Sequence, residues 1–367
     1  MDAPMSRVRV FESLAALPVA CRALFEQAEC RHPFCTWAWF ECLIAHGLNP
    51  DDAPRFPVAF DAGGQPVCVL PCLVSRARPR RWRALQNYYA PMYGPVMAAG
   101  SRGEQGLRAI VRHLRSTPGL CEGLDLGPLC LQGPMMGRVE QALRDEGFFV
   151  KPYFRFGNRY LPTMGMDWVT YLAGRPGHLR STLQRKGRRL RRLHGVAFHL
   201  YRQVDDVPVA VAAYESVYAV SWKRPEPFPD FMPGLIHMAA RTGMLRLGVL
   251  TVDEAPVAVQ LWLRHQGRAH IYKLAHDPRF EAFSPGTLLT ALMMERMLDD
   301  ERVSEVDFMT GDDPYKADWM PHRREQWGIL ALNVRTWRGA LLMLRERVAT
   351  WGGRLLRRGW PGRFPAS

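Results

Sequence analysis

The chain has 367 residues, 47% of them hydrophobic and 23% charged, and a formal net charge of +14. These values exclude a disordered tail, a collagen and a disulfide miniprotein, and they allow one large or two ordinary domains with a sizeable core. The surplus positive charge favours acidic partners such as phosphates, nucleic acid or an anionic membrane.

In chain order, residues 1–50 read as helical, with FESLAALPVACRALFEQA as one amphipathic stretch and TWAWFECLIAHG as a second. RFPVAFDAGGQPVCVLPCLVSRA then gives two apolar strands joined at Ala62-Gly63-Gly64-Gln65, a hairpin signal. The aromatic loop NYYAPMYGPVM precedes two helices, LRAIVRHLRS and RVEQALRDEGF, the second stopped by Gly147. Residues 178–194 form a basic helix with seven Lys/Arg between Arg180 and Arg192; Leu179, Leu183, Leu190 and Leu193 keep its apolar stripe. VPVAVAAYESVYAVSWK reads as a helix. Three strands follow, with turns at Asp253-Glu254 and Gln266-Gly267. SPGTLLTALMMERMLDD is a helix with Ser284 as its cap and Pro285 at its first position. VSEVDFMTG and WGILALNV are short strands.

All eight cysteines, Cys21, Cys30, Cys35, Cys42, Cys68, Cys72, Cys121 and Cys130, lie in the first 130 residues, with no C-x-x-C pair. They read as buried thiols in a reducing compartment. Asp2, Arg7, Arg9 and Glu12 precede any apolar run, so no secretory signal is expected. No apolar run of ~18 residues suggests a transmembrane helix. The chain therefore reads as cytoplasmic. No zinc-finger spacing, HExxH, EF-hand, Walker A loop or nucleophile elbow is present, so no metal site is expected.

The two halves resemble each other. FPVAFDAGGQPVCVLPCLV aligns with LGVLTVDEAPVAVQLWL, and Pro66 matches Pro256 at an offset of 190 residues. The expected units are 1–165, 166–335 and a basic amphipathic tail, 336–367. In that tail Trp337, Leu341, Leu342 and Trp351 alternate with arginine, a pattern that suits peripheral membrane contact or packing on the domain.

The second half also carries a resemblance. Ser221-Trp222-Lys223 is followed by LRLGVL with APVA, then Tyr272-Lys273-Leu-Ala-His276-Asp277, Phe283-Ser284-Pro285-Gly286, and Asp307-Phe308-Met-Thr-Gly311-Asp312-Asp313-Pro-Tyr315-Lys316. Over roughly residues 175–330 this resembles the CelD/BcsL-like branch of the GNAT acyltransferases, related to the FemAB peptidoglycan-bridge enzymes. The resemblance implies an α/β fold of tandem GNAT-like domains, each a mixed twisted sheet flanked by helices, with the first domain degenerate. It implies acyl transfer from acyl-CoA, acetyl-CoA included, to an amine or hydroxyl on a small-molecule, glycan or peptide acceptor. Envelope or exopolysaccharide biosynthesis is the implied setting.

The donor pyrophosphate would sit against the loop Phe283, Ser284, Pro285, Gly286, Thr287 and Leu288, on the backbone amides at this helix N-terminus. The family loop Q/R-x-x-G-x-G/A is reduced there to one glycine, and Pro285 removes a donor. Asp312 or Asp313 could accept a proton from the acceptor, Tyr315 could protonate the leaving group, and Lys316 could hold a carboxylate or the oxyanion. Trp222, Lys223, Lys273, His276 and Asp277 are the candidate acceptor-binding residues. Arginine is the default cation of this chain, so its five lysines (Lys151, Lys186, Lys223, Lys273 and Lys316) stand out. Three of them fall in these segments. Read without the resemblance, SPG is an ordinary helix cap and GDDPYK a solvated turn.

Two other functions fit the same residues. One is a FemAB-like transferase using aminoacyl-tRNA, and the other a non-catalytic scaffold of the same fold. The Arg-rich segments 178–194 and 335–367 could also meet an anionic membrane or an acidic carrier at the inner membrane surface.

Overall fold

A strand from the middle of the chain and a strand from near its end lie side by side at the centre of one sheet. The computed structural model describes residues 7–28 and 32–358. Its strands are β1 (Arg7–Phe11), β2 (Asp52–Phe60), β3 (Pro66–Val69), β4 (Cys72–Ser75), β5 (Arg78–Ala84), β6 (Val96–Met97), β7 (Gly123–Cys130), β8 (Phe149–Pro162), β9 (Val196–Tyr201), β10 (Leu245–Val252), β11 (Ala255–His265), β12 (Arg268–His276), β13 (Glu305–Asp307) and β14 (His322–Leu332). The helices are α1 (Ala20–Gln27), α2 (Trp37–His46), α3 (Ser101–Ser116), α4 (Pro134–Asp145), α5 (Trp168–Ala173), α6 (Gly177–Leu193), α7 (Val207–Val220), α8 (Phe231–Arg241), α9 (Pro285–Glu295), α10 (Pro314–Trp319) and α11 (Trp337–Arg358).

The sheet runs β6-β3-β2-β4-β5-β7-β14-β8-β13-β12-β11-β10-β9, with β1 added beside β2. Each half is an antiparallel meander followed by a helical crossover to a parallel strand: β5 with β7 through α3, and β12 with β13 through α9. β14 then lies between β7 and β8, and β8 lies between β14 and β13. Each half thus closes on a strand of the other, and β8 pairs β14 along its full length, from Phe149↔Leu332 to Tyr160↔His322. The expected α/β architecture of two like halves is present, sharing a single mixed sheet.

The aligned hairpins are β2/β3 and β10/β11, and both turns of the second meander use residues at positive φ, Asp253-Glu254 and Gln266-Gly267. One apolar core joins the halves: Trp39, Phe40 and Leu43 of α2 share it with Val217 of α7 and Phe231 and Leu235 of α8. Burial on this scale stabilises by roughly 1.5–3 kcal/mol per large side chain.

Residues 1–50 are not wholly helical. Val8 and Val10 alternate with arginine, and Arg7–Phe11 pairs with Phe60–Phe56 as an edge strand. β8 also went unmarked in the sequence: Lys151, Arg155 and Arg159 interrupt its apolar residues because most of its side chains are half-buried. Six of the seven described cysteines are buried; Cys30 lies outside the described residues. Among the described residues no helix is long and apolar enough to cross a membrane. The tail helix α11 exposes Trp337, Leu341, Leu344 and Val348; the side chain of Trp351 lies outside the described ones.

Candidate active site

The parallel strands β12 and β13 pair only over Arg268–His270 and Glu305–Asp307, and then part. On β12 a bulge marks the separation: Lys273 faces Leu261 while Ile271 faces Trp262, leaving Tyr272 as the extra residue. On the other side, β13 ends in a turn held by buried polar groups. The Met309 amide donates to Asp307 Oδ1 (2.6 Å), Asn158 Nδ2 donates to the Met309 carbonyl (2.7 Å), and Arg324 pairs with Asp307 and Glu305. Met309 takes a left-handed conformation, φ 56°. A cleft of about 440 Å³ opens between Ile271–Leu274 and Phe308–Thr310.

Its far wall comes from the first half. Tyr88 and Tyr89 of the aromatic loop line the cleft. The Tyr272 hydroxyl donates to the Tyr89 carbonyl (2.7 Å), and the Tyr89 ring stacks on Phe231 at 4.1 Å. The loop then turns inward: the Tyr93 amide donates to the Pro128 carbonyl of β7, and its buried hydroxyl donates to the Pro71 carbonyl. Residues past the tip therefore fill the first half, while the tip serves the second.

Three of the five lysines meet in this cleft. Lys273 Nζ donates to Glu226 Oε1 (2.8 Å), with both side chains about nine-tenths buried, and lies over the rings of Tyr88 and Tyr89. Burial acts to raise the Glu226 carboxyl, but hydrogen bonds from Lys273, Tyr218 and Tyr89 outweigh it and hold the group below the usual range. Lys316, itself buried, donates to the carbonyls of Thr310 (2.6 Å) and Gly311 (3.1 Å) and pairs with Asp313 (3.2 Å). Lys223 forms no ion pair among the described residues; burial above all, and then the neighbouring Lys273, lowers it to about 8.

Asp313 and Tyr315 complete the wall. Tyr315 is half-exposed, and burial followed by Asp313 pushes its phenol up to about 12. Asp312 is not part of this wall. It accepts from Arg323 Nε (2.6 Å), which holds its carboxyl below the usual range. Gly157 makes room for it: a Cβ there would lie 2.2 Å from Asp312 Oδ2.

The SPG loop lies beyond Trp222, which bridges the two regions. Its ring sits 4.4 Å from that of His276, and a Cβ on Gly286 would meet His276 Nδ1 at 3.3 Å. Burial lowers the His276 imidazole. Neither His276 nor Asp277 lines the cleft. Asp277 is buried and accepts from the Arg279 amide (2.9 Å) and guanidinium (2.6 Å), capping a short turn.

Ser284 occupies the cap position of α9 but does not cap it. It is left-handed (φ 52°), and Lys186 of α6 donates to its hydroxyl at 2.6 Å. The amides of Gly286 and Thr287 have no acceptor within the helix. Arg189 stands over the Phe283 ring. Along α6 the side chains of Arg180, Arg185, Arg188, Arg189, Arg191 and Arg192 are exposed, and the segment from 168 to 204 holds no carboxylate. Among the described residues no cluster of His, Cys, Asp or Glu could hold a metal ion.

Sequence reasoning missed Tyr88, Tyr89, Glu226 and Lys186. Only the lysine rarity pointed toward Lys186. Glu226 lies in a proline-rich loop with no pattern of its own.

Residues 177–317, from α6 into α10, match the model of the acetyltransferase (GNAT) domain family. No curated protein matches the chain by sequence. In fold the chain is similar to FemX (TM-score 0.59, 10% identity, covering 86% of this chain and 96% of that one). It is also similar to the C-terminal domain of a protein described as a lysylphosphatidylglycerol synthetase from Agrobacterium fabrum (TM-score 0.54, 14% identity, 90% and 96%). A conserved protein of unknown function from Bacteroides thetaiotaomicron is similar as well (TM-score 0.54, 12% identity, 89% and 100%). The fold is of the GNAT type.

Proposed function

We propose that the protein is a GNAT-type acyltransferase. It moves an acyl group from acyl-CoA to an amine or hydroxyl acceptor in the lysine-lined cleft, in a setting of envelope or exopolysaccharide assembly. The observation that carries this reading is the splay of β12 from β13 within the matched segment, beside a helix N-terminus with open amides and flanking cations.

Gly286 and Thr287 amides hold the donor phosphates, assisted by the helix dipole and by Lys186 and Arg189. Trp222 lies between that loop and the acceptor. The acceptor nitrogen or oxygen attacks the acyl carbon, the new C–N or C–O bond forms, and the C–S bond breaks. Asp313 takes the acceptor's proton, and the Tyr315 hydroxyl, protonated at neutral pH, supplies one to the leaving thiolate. Lys316 braces the Thr310–Asp313 turn that presents both. The exposed row on α11 and the arginines of α6 would allow contact with an anionic membrane surface.

A second reading, aminoacyl transfer from charged tRNA, is favoured by the arginine face of α6 beside the donor loop. Release of free thiol from acetyl-CoA and longer acyl-CoAs with amine and hydroxyl acceptors tests the first. Acyl transfer from charged tRNA alone would replace it with the second, and activity with neither donor would leave a scaffold of this fold.

A further inference from the structure

Within the proposed acyl-transfer cleft, on which this inference rests, three ammonium groups face two carboxylates among the described residues. Glu226 neutralises Lys273, and Asp313 with two carbonyls satisfies Lys316. Lys223 is left over. It follows the C-terminal end of α7, lies half-buried on the cleft wall, and lies 5.8 Å from the centre of the adjacent Trp222 ring. A partly desolvated cation without a counter-ion is costly, and a bound anion removes that cost.

We infer that the acceptor carries an oxyanion, a carboxylate or a phosphate, which pairs with Lys223 Nζ while the acceptor's nucleophile faces Asp313. The charges around Lys223 support this. Lys273 and Lys316 disfavour its proton, Glu226 favours it but is engaged by Lys273, and Asp313 faces Lys316; His276, on the donor side, is itself lowered by burial and to a lesser degree by Lys223. Burial and these neighbours leave it titrating at about 8. Below that pH it is an ammonium ready to pair. Tyr88, exposed at the cleft mouth, leaves a path for an acceptor larger than the 440 Å³ cleft.

The test uses the whole protein without any acyl donor. Trace acetylation by acetic anhydride across pH 6–11, read by mass spectrometry, titrates each of the five lysines separately. It is repeated with inorganic phosphate, with acetate, and with chloride at the same ionic strength. Labelling of Lys223 is expected to rise with a midpoint near pH 8. At pH 7, labelling of Lys223 should fall about tenfold for each unit by which a bound anion raises its pKa. Protection by phosphate alone names a phosphate-bearing acceptor, protection by acetate alone a carboxylate, and protection by both an oxyanion of either kind. Equal labelling in phosphate, acetate and chloride overturns the inference.

Lys223→Arg keeps the charge and should keep a phosphate- or acetate-induced rise in melting temperature, whereas Lys223→Met should lose it. Loss in both variants would mean the pocket had collapsed. In that case the labelling of the wild-type protein decides. With a turnover assay, Lys223→Met should raise KM for the anionic acceptor about tenfold or more while kcat holds. A fall in kcat with KM unchanged would instead make Lys223 a proton carrier and overturn the pairing role. Anion protection without acyl-CoA binding would sink the acyltransferase reading and leave this site standing. Acyl-CoA turnover without anion protection would do the reverse.

Discussion

Lys186 Nζ donates to Ser284 Oγ across 2.6 Å, joining the basic helix α6 to the start of α9. A cap residue would ordinarily turn its oxygen onto the first amides of its helix. Here that oxygen meets a lysine, and the amides of Gly286 and Thr287 keep no acceptor within the helix. Lys186→Met should weaken acyl-CoA binding about tenfold, because it removes a cation beside the donor phosphates. Calorimetry would measure the loss, and the melting temperature should change little.

Glu226 is the counter-charge of Lys273 inside the cleft, 2.8 Å from its ammonium. Glu226→Gln should cost about 3 kcal/mol, since it leaves a buried ammonium unpaired beside Lys223. Glu226→Gln/Lys273→Met together should recover most of that loss in a denaturant titration. The Glu226 carboxyl is lower in the folded than in the unfolded chain. Its contribution is therefore complete above its ordinary value of 4.5 and fades as pH falls through the depressed one.

Asp312 and Asp313 are neighbours with different surroundings, and their variants should differ. Asp312→Asn breaks a half-exposed pair with Arg323 and should cost no more than about 1 kcal/mol of stability. Asp313→Asn and Tyr315→Phe should each lower kcat about 100-fold with little change in KM, as expected for lost proton transfer. Steady-state kinetics on the three variants separate the roles.

His270 is fully buried on β12, and neither ring nitrogen has a hydrogen-bond partner among the described residues. Burial lowers it to about 3, and burial together with His32 lowers His265 to about 4. The unfolded chain takes up these protons near pH 6.5 and the folded chain does not. Stability should therefore fall as pH drops below 6.5, by up to about 1.4 kcal/mol per pH unit for each histidine. His270→Phe should flatten that slope in urea titrations between pH 6.5 and 4.

The residues themselves explain what was legible in the sequence. The hairpins at 56–69 and 245–263 were readable because their apolar runs are continuous and their turns need residues that accept positive φ. α6 was readable from its arginine-leucine period. β1 was hidden inside an apparent helix because five residues of alternating valine and arginine are too short to outweigh the helical pattern beside them. The lysine cleft was half legible. Lys223, Lys273 and Lys316 announced themselves by rarity, but Tyr88 and Glu226 reach the cleft only through tertiary contacts between elements distant in sequence. Nothing in SPG told that Ser284 would bond Lys186 rather than its own helix.

The most direct measurement is calorimetric binding of acetyl-CoA and longer acyl-CoAs to the wild-type protein and to Gly286→Trp. A side chain at Gly286 must crowd His276 and cover the open amides of α9. Saturable binding of an acyl-CoA to the wild-type chain, lost in Gly286→Trp, is the predicted result. Failure of the wild-type chain to bind any acyl-CoA, or equal binding by the variant, would contradict a donor site at the start of α9.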